Sequence, residues 1–302
     1  MRVLVTGGSG LLGGKLVRVL AERGFEVVAT YNRHQPFPLE GVRWVRLDVT
    51  DTLRLEDLIL KERPGAVVHA AAFTDVDGCE RDKAGAWRVN VEATRRVVRA
   101  SRVVNAYLIY VSTDYVFDGE KGLYVEEDLP NPINYYGFTK LVGEELVKSS
   151  DLLYTVVRPS NIFGIGGGKK GFAEYVVERL SRGEGVSALT DQYLSPTYNG
   201  FLAEGIARLL EVRPMGVLHM AGERLSRYEF AVRIARRLGV DESLVKPVAM
   251  NGITGWVARR PRDSSLDCSR ARRLLGWEHN TDKAISLLVS EARGGLHAAE
   301  GG

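Results

Sequence analysis

Val3-Leu4-Val5-Thr6 runs straight into Gly7-Gly8-Ser9-Gly10-Leu11-Leu12-Gly13, after which Leu12, Leu16, Val19 and Leu20 recur at helical spacing. A β-branched strand that ends in glycines and re-emerges as an amphipathic helix restricts the chain to βαβ construction. The turn must be tight enough to expose the first amides of the helix, at Leu11 and Leu12. Gly7, Gly10 and Gly13 carry no Cβ, so a pyrophosphate can approach the backbone there. The spacing is G-x-x-G-x-x-G. It differs from the dehydrogenase form G-x-G-x-x-G and is less specific alone, so its weight comes from the strand before and the helix after.

The same alternation continues through the first half. Arg2-Val5, Glu26-Tyr31, Arg43-Leu47, Ala66-His69, Tyr107-Ser112 and Tyr154-Arg158 read as successive strands separated by helical periodicity. Right-handed crossovers stack such strands into a doubly wound parallel sheet of the Rossmann-like α/β class. After Arg158 the pattern loosens, and Gly164 to Gly168 read as a flexible break before a helix at Phe172-Ser181. A smaller C-terminal substrate lobe is expected from there. The division is residues 1–160 for the dinucleotide domain, with a return segment near 190–220, and residues 161–189 and 221–292 for the lobe. The lobe carries the capping box Ser226-Arg227-Tyr228-Glu229 ahead of Phe230, Ile234 and Leu238, and Asn199-Leu210 reads as a further helix. Residues 293–302, rich in Gly and Ala, read as a frayed tail.

Charge argues against a polyanionic partner: 41 Lys+Arg stand against 38 Asp+Glu, a formal net charge of +3 over 302 residues. Nucleic acid is not expected. The Arg-dense stretch Arg259 to Arg273 reads mostly as a solvated helical face, with Arg260 kept apart as a candidate ligand. Cys79 and Cys268 lie far apart without metal-type spacing, which points to a reduced compartment, with neither a disulfide framework nor a metal site. No apolar run of ~18 residues is present, and the N-terminus enters a strand with no charged-then-apolar leader. A cytoplasmic protein with no membrane partner is expected.

The second strand closes with Thr30-Tyr31-Asn32-Arg33, without the acid that reads the ribose of NAD. Asn32 and Arg33 are the candidate contacts there, and a cation at Arg33 suits the 2′-phosphate of NADP. NADPH is the expected cofactor; NAD stays open. Tyr136 and Lys140 stand four apart on a helical stretch and so share a face. A free phenol titrates near about 10, and a neighbouring cation favours the phenolate. Such a pair, with the hydroxyl of Thr113 upstream, can move a proton beside a bound dinucleotide.

These residues sit in longer motifs. They are T-G-G-S-G-L-L-G at the start, L-D-V-T-D at Leu47-Asp51, H-A-A-A-F-T-D-V-D at His69-Asp77, and Asn90 in R-V-N-V-E-A-T. V-S-T-D-Y-V-F-D-G at Val111-Gly119, N-P-I-N-Y-Y-G-F-T-K-L-V-G-E at Asn131-Glu144, D-Q-Y-L-S-P-T at Asp191-Thr197 and R-P-R-D-S-S-L-D at Arg260-Asp267 follow. With them the chain resembles the extended short-chain dehydrogenase/reductases, and among these the dTDP-4-dehydrorhamnose reductase family, over nearly its whole length. The resemblance implies that Tyr136 is the proton donor, that Lys140 binds the nicotinamide ribose and lowers the phenol's pKa, and that Thr113 bonds the reacting carbonyl. It implies that Asn90 supports the lysine through backbone and water. Asp48 and Val49 would border the adenine, and Ala70, Ala71 and Ala72 would line the ribose and phosphates. Thr74, Asp114, Tyr115, Asn161, Gln192 and Arg260 are the implied substrate contacts.

Thr113-Asp114-Tyr115 lacks the glutamate of the related dehydratases, and epimerases usually carry small residues there. The resemblance therefore implies reduction of a nucleoside-diphosphate 4-keto-6-deoxy sugar, most specifically dTDP-4-dehydro-L-rhamnose to dTDP-L-rhamnose, by a homodimer. Arg158-Pro159-Ser160-Asn161 replaces the T-S-W that follows the sixth strand in many rhamnose-forming reductases, so the sugar contact departs from the pattern. Asp263 stands where an asparagine is common. The regulatory subunit of methionine adenosyltransferase resembles the same family and remains an alternative, as does an epimerase or dehydratase.

Overall fold

The computed structural model describes residues 1–33, 36, 38–167 and 170–299, with side chains through Arg293 in the last helix. Its dinucleotide half runs β1 (Arg2–Thr6), α1 (Leu11–Glu22), β2 (Glu26–Tyr31), β3 (Val42–Arg46), α2 (Thr52–Glu62) and β4 (Ala66–His69). Next come α3 (Val76–Arg81), α4 (Lys83–Trp87), a π-helical turn at Arg88–Glu92, α5 (Ala93–Val104), β5 (Tyr107–Val111), α6 (Tyr135–Lys148) and β6 (Tyr154–Arg158). The remainder comprises β7 (Ser160–Phe163), α7 (Phe172–Ser181), β8 (Val186–Leu189), β9 (Tyr193–Leu194), β10 (Pro196–Tyr198) and α8 (Asn199–Val212). Last are β11 (Gly216–His219), β12 (Leu225–Ser226), α9 (Arg227–Leu238), β13 (Val245–Val248), α10 (Ser269–Leu275) and α11 (Thr281–Ala299).

Seven parallel strands form the central sheet in the order β11-β6-β5-β4-β1-β2-β3. Their residues are apolar on both faces because helices cover both, and β4 and β5 are buried along their whole length. The order reverses between β1 and β4, where such sheets open a crevice at their carboxyl ends. On α1, Leu16 and Leu20 are fully buried. Each stabilises the fold by about 1.5–3 kcal/mol relative to exposure.

The six expected strands all form, with the third placed one residue earlier, at Val42–Arg46. The seventh, β11, is added by the chain's return through α8. A second core of Phe163, Val176, Leu180, Phe230, Ile234 and Leu288 lies under α7, α9 and α11. Ser226 and Glu229 form the capping box reciprocally, at 3.0 and 2.7 Å, and fix the start of α9.

Two expectations change. The break after β7 is docked, not free: Asn199 donates to the carbonyls of Leu11 (2.9 Å) and Ile165 (3.2 Å), and a Cβ on Gly167 would collide with the Ser9 carbonyl. Gly168, part of the same expectation, lies outside the described residues. The Arg-dense stretch is helical only over Ser269–Leu275; before that, Pro261 and the Asp263 turn hold an irregular segment against the site.

Candidate active site

Thr6 and His69, at the ends of β1 and β4, and Tyr110, next to the end of β5, are Cα partners across the ladders. The Thr6 hydroxyl meets His69 Nδ1 at 2.7 Å, and His69 Nε2 meets Thr94 Oγ1 at 3.1 Å. The Thr94 hydroxyl donates to the Asn90 carbonyl, so it accepts from Nε2–H, and Nδ1 accepts from Thr6. Burial first, and the Lys140 charge second, push His69 down to about 3, so the ring is neutral. Its ring lies 5.9 Å from the Tyr110 ring, tilted to it. The Lys140 ammonium stands 4.1 Å from the Tyr110 ring centre. Strands lie ~4.8 Å apart, so the lysine is two strands from the glycine turn.

Gly7 has φ +71°, and a Cβ there would come within 2.9 Å of the Ala71 backbone. Its amide donates to Thr30 Oγ1 at 3.2 Å, and Ala71 N–H donates to Thr6 Oγ1 at 3.2 Å. The first glycine thus lets the strand ends at Ala70, Ala71 and Ala72 close on the turn. Gly13 has a packing role as well: a Cβ there would collide with the Gly7 carbonyl, so this glycine seats α1 under the turn. Gly10, at the N-cap of α1, leaves the amides of Leu11 and Leu12 at the open end of the helix.

At the far end of the cleft Asn32 donates to Asp48 at 2.9 Å, and the other Asp48 oxygen accepts from the Thr50 amide and hydroxyl. The Thr50 amide, then its hydroxyl, Asn32 and the Arg33 charge hold this carboxyl below the usual range against burial. Arg33 is exposed beside it, and Val49 is buried.

Helix α6 is pressed onto the site by its N-terminus. Asn134 accepts from the Gly137 amide at 2.8 Å, Tyr135 N–H donates to Glu80, and a Cβ on Gly137 would collide with the Tyr115 carbonyl. Tyr136 is therefore held where Thr113 acts on its phenol, with the Tyr115 ring edge-on at 6.2 Å. Cys79, Ala86, Phe73 and Tyr135 pack around it. That burial raises the phenol's pKa, with Thr113 opposing. The lowered phenol expected from Lys140 is not what this arrangement produces. The lysine is itself desolvated, to about 7, with Glu144 one turn on resisting the fall. Glu144 is buried and ionised, since Arg158 (2.6 and 2.8 Å) and Ser112 (2.6 Å) outweigh its desolvation.

Asn90, on the π-helical turn, accepts from the Phe73 amide at 2.8 Å and donates to Thr139 at 3.0 Å. It fastens the strap after β4 to α6 one residue from Lys140, with no direct bond to the lysine itself. Asp114 is fully buried. Its carboxylate accepts from Thr113 (3.0 Å) on one oxygen and from Ser160 (2.8 Å) and Ser264 (2.5 Å) on the other, so it joins β5 to the later segments. Burial raises its pKa, against those hydroxyls. Thr74 is exposed on the loop before α3, and Asn161 is half-buried with φ +40° on β7. Asp263 turns away to Arg224 at 2.7 Å.

Gln192, Arg260 and Tyr115 converge on a residue not anticipated as a ligand. Arg227, the first residue of α9, donates to Gln192 Oε1 at 2.5 Å, acts by its charge on the Tyr115 phenol, and lies over the Phe172 ring at 5.0 Å. Gln192 is locked from the other side by donating to the Pro261 carbonyl. Arg260 pairs with Asp77 at 3.0 Å and lies 5.3 Å from the Trp256 ring centre. Inside the capping box Arg227 looked like helix-start chemistry. Only the fold turns it toward Tyr115.

The profile of the RmlD substrate binding domain family matches residues 1–292. The chain belongs to this family. RmlD-family relatives include the probable low-salt glycan biosynthesis reductase Agl14 of Haloferax volcanii, 35% identical over 93% of this chain and 94% of that protein. The beta subunit of Bos taurus methionine adenosyltransferase 2 is 31% identical over 96% of this chain and 86% of its own length. Among solved structures, a hypothetical dTDP-4-dehydrorhamnose reductase from Sulfolobus tokodaii superposes with a TM-score of 0.84 at 46% identity, covering 93% of this chain and 98% of its own. The Bacillus anthracis dTDP-4-dehydrorhamnose reductase in complex with NADP gives 0.83 at 30%, over 96% and 99%. The resemblance read from the motifs and the Rossmann-like parallel sheet both hold for this RmlD-family chain. Among the described residues, no helix is long and apolar enough to cross a membrane, and no group of three or more His, Cys, Asp or Glu side chains could hold a metal ion.

Proposed function

We propose that the protein is an NADPH-dependent reductase of a nucleoside-diphosphate 4-keto-6-deoxy sugar, with dTDP-4-dehydro-L-rhamnose as the substrate to try first. An NADP-dependent oxidoreductase of dTDP-4-dehydrorhamnose reductase type accords with the family and with its NADP-bound relative. The observation that carries the reading is that Tyr136 is buried with Thr113 acting on its phenol, while two positions after Thr113 stands a tyrosine, Tyr115, edge-on to Tyr136. A proton donor and a polarising hydroxyl are present, and no second acid stands in the dehydratase position.

Bound NADPH would lie along the crevice, its pyrophosphate over Gly7 to Leu12 and its nicotinamide toward Tyr136. It would supply the hydride. The chain's own part is to hold the carbonyl oxygen between Thr113 and Tyr136 and to return a proton to it. A phenol kept protonated by burial is in the correct state to donate. Lys140, one helical turn on and lowered to about 7 by burial, can exchange a proton near neutral pH.

The test is cofactor oxidation at near-ultraviolet absorbance with dTDP-4-dehydro-L-rhamnose and related 4-keto sugars. Turnover lost in Tyr136→Phe supports the reading; no turnover with any of them rejects it. The methionine adenosyltransferase relative favours a second reading, a cofactor-binding regulatory subunit. Tight NADP binding without reduction, and co-purification with a synthetase, would select it.

A further inference from the structure

Lys140 stands four residues before Glu144 on α6, a spacing at which a helix can pair a cation with a carboxylate. The fold gives that carboxylate to other groups. Its Oε1 accepts from Ser112 (2.6 Å) and Arg158 (2.8 Å), and its Oε2 from Arg158 (2.6 Å), with the Lys148 ammonium at 3.6 Å. Lys140 itself is 2% exposed, and among the described residues its ammonium has neither a hydrogen-bond acceptor nor an ion pair; Glu144 reaches it only through its field. What the ammonium faces is the ring of Tyr110, 4.1 Å from its centre.

That ring is fixed from several sides. It projects from β5, inside the sheet, and its hydroxyl donates to the Lys140 carbonyl at 3.4 Å in space that a Cβ on Gly143 would fill. The His69 ring on β4 lies 5.9 Å away, and Tyr136 stands one turn before the lysine on α6. Burial keeps the Tyr110 phenol protonated and His69 neutral, so the tyrosine offers a π face and no negative charge, and the imidazole adds no competing positive one. An ammonium over an aromatic face is attracted more strongly when both are out of water.

We propose that Tyr110 is a positioning residue whose ring face takes the place of a counter-ion for Lys140, holding the ammonium charged and in place one turn beyond Tyr136. The inference rests on the reductase reading for the use made of that lysine. Without the ring, burial acts on the cation with only the distant help of Glu144.

An NMR titration of protein carrying lysine labelled with carbon-13 at Cε reads the Lys140 midpoint without any turnover, its signal being the one lost in Lys140→Met. The midpoint should fall by about one pH unit in Tyr110→Leu and stay near the wild-type value in Tyr110→Phe, which keeps the ring. The lysine-dependent limb of the pH–rate profile should move with it, in Tyr110→Leu and not in Tyr110→Phe. Should Tyr110→Leu fold poorly, phenylalanine bearing two and then three ring fluorines at position 110 weakens the π face at nearly constant shape, and a stepwise fall is expected. An unmoved midpoint in the leucine or fluorinated proteins, or a fall in Tyr110→Phe as large as in Tyr110→Leu, overturns the proposal. The expected midpoints in a protein that reduces no 4-keto sugar would support the hold of Tyr110 on the ammonium and reject only the reductase reading.

Discussion

The Lys140 ammonium lies 4.1 Å from the centre of the Tyr110 ring, and a Cβ on Gly143 would strike that tyrosine's hydroxyl. The cation is thereby set on an aromatic face in a dry position where burial lowers its pKa to about 7 from 10.5. Between those values the unfolded chain holds a proton that the folded chain releases, so this group's contribution to stability rises with pH across that window. Lys140→Met should be more stable than the wild type at neutral pH by about 1–3 kcal/mol, with the gap closing toward pH ~10. Paired thermal melts across that range check it. A gap that does not narrow with pH would mean that the ammonium is not desolvated.

Tyr136→Phe removes the donor while leaving the ring packed among Cys79, Ala86 and Phe73. The expected loss in kcat is ~10²–10⁴-fold, with NADPH affinity retained. Single-turnover kinetics and a cofactor titration on the same sample separate the two effects.

Asp114→Asn keeps an acceptor oxygen for the Ser160 and Ser264 hydroxyls, sets a donor NH2 against Thr113 and removes a buried charge, so the melting temperature should fall less than in Asp114→Leu. Asp114→Leu strands the same hydroxyls, at about 1–3 kcal/mol for each group left without a partner. Equal stability for the two variants would show that the hydroxyl cluster does not join the segments.

Glu144→Gln leaves Arg158 as an uncompensated buried cation and should cost about 3–5 kcal/mol in urea unfolding. It also removes the charge that resists the fall in the Lys140 pKa, so the lysine-dependent limb of the pH–rate profile should move to lower pH. Replacing both partners by apolar residues should recover much of the stability but not the position of the limb.

Arg33→Ala should raise the KM for NADPH about tenfold and leave that for NADH unchanged, since an exposed guanidinium beside Asp48 can meet only the 2′-phosphate. Equal kcat/KM for the two cofactors before and after the change would refute an NADP preference based on Arg33.

Much of this site was legible in one dimension because its parts are local. The turn at Gly7 to Gly13 lies between a strand and a helix that announce themselves by periodicity, and Tyr136 and Lys140 share a helix face through their spacing alone. The six strands of the sheet were readable for the same reason. What is non-local was not. The packing of Gly13 against the Gly7 carbonyl and the bonds from Ser160 and Ser264 to Asp114 could be seen only once the chain was folded.

The pattern of apolar residues and glycines by itself determined the doubly wound sheet and the strand–turn–helix at Gly7 to Gly13, because those depend on neighbours within a turn or a strand. Only the tertiary structure decided the charge states in the cleft and the membership of Arg227. Desolvation depends on what closes over a group, and α9 brings Arg227 to Tyr115 across more than a hundred residues of chain. No spacing rule encodes that distance, since it is set by how the second core seats α9 against the sheet's carboxyl edge.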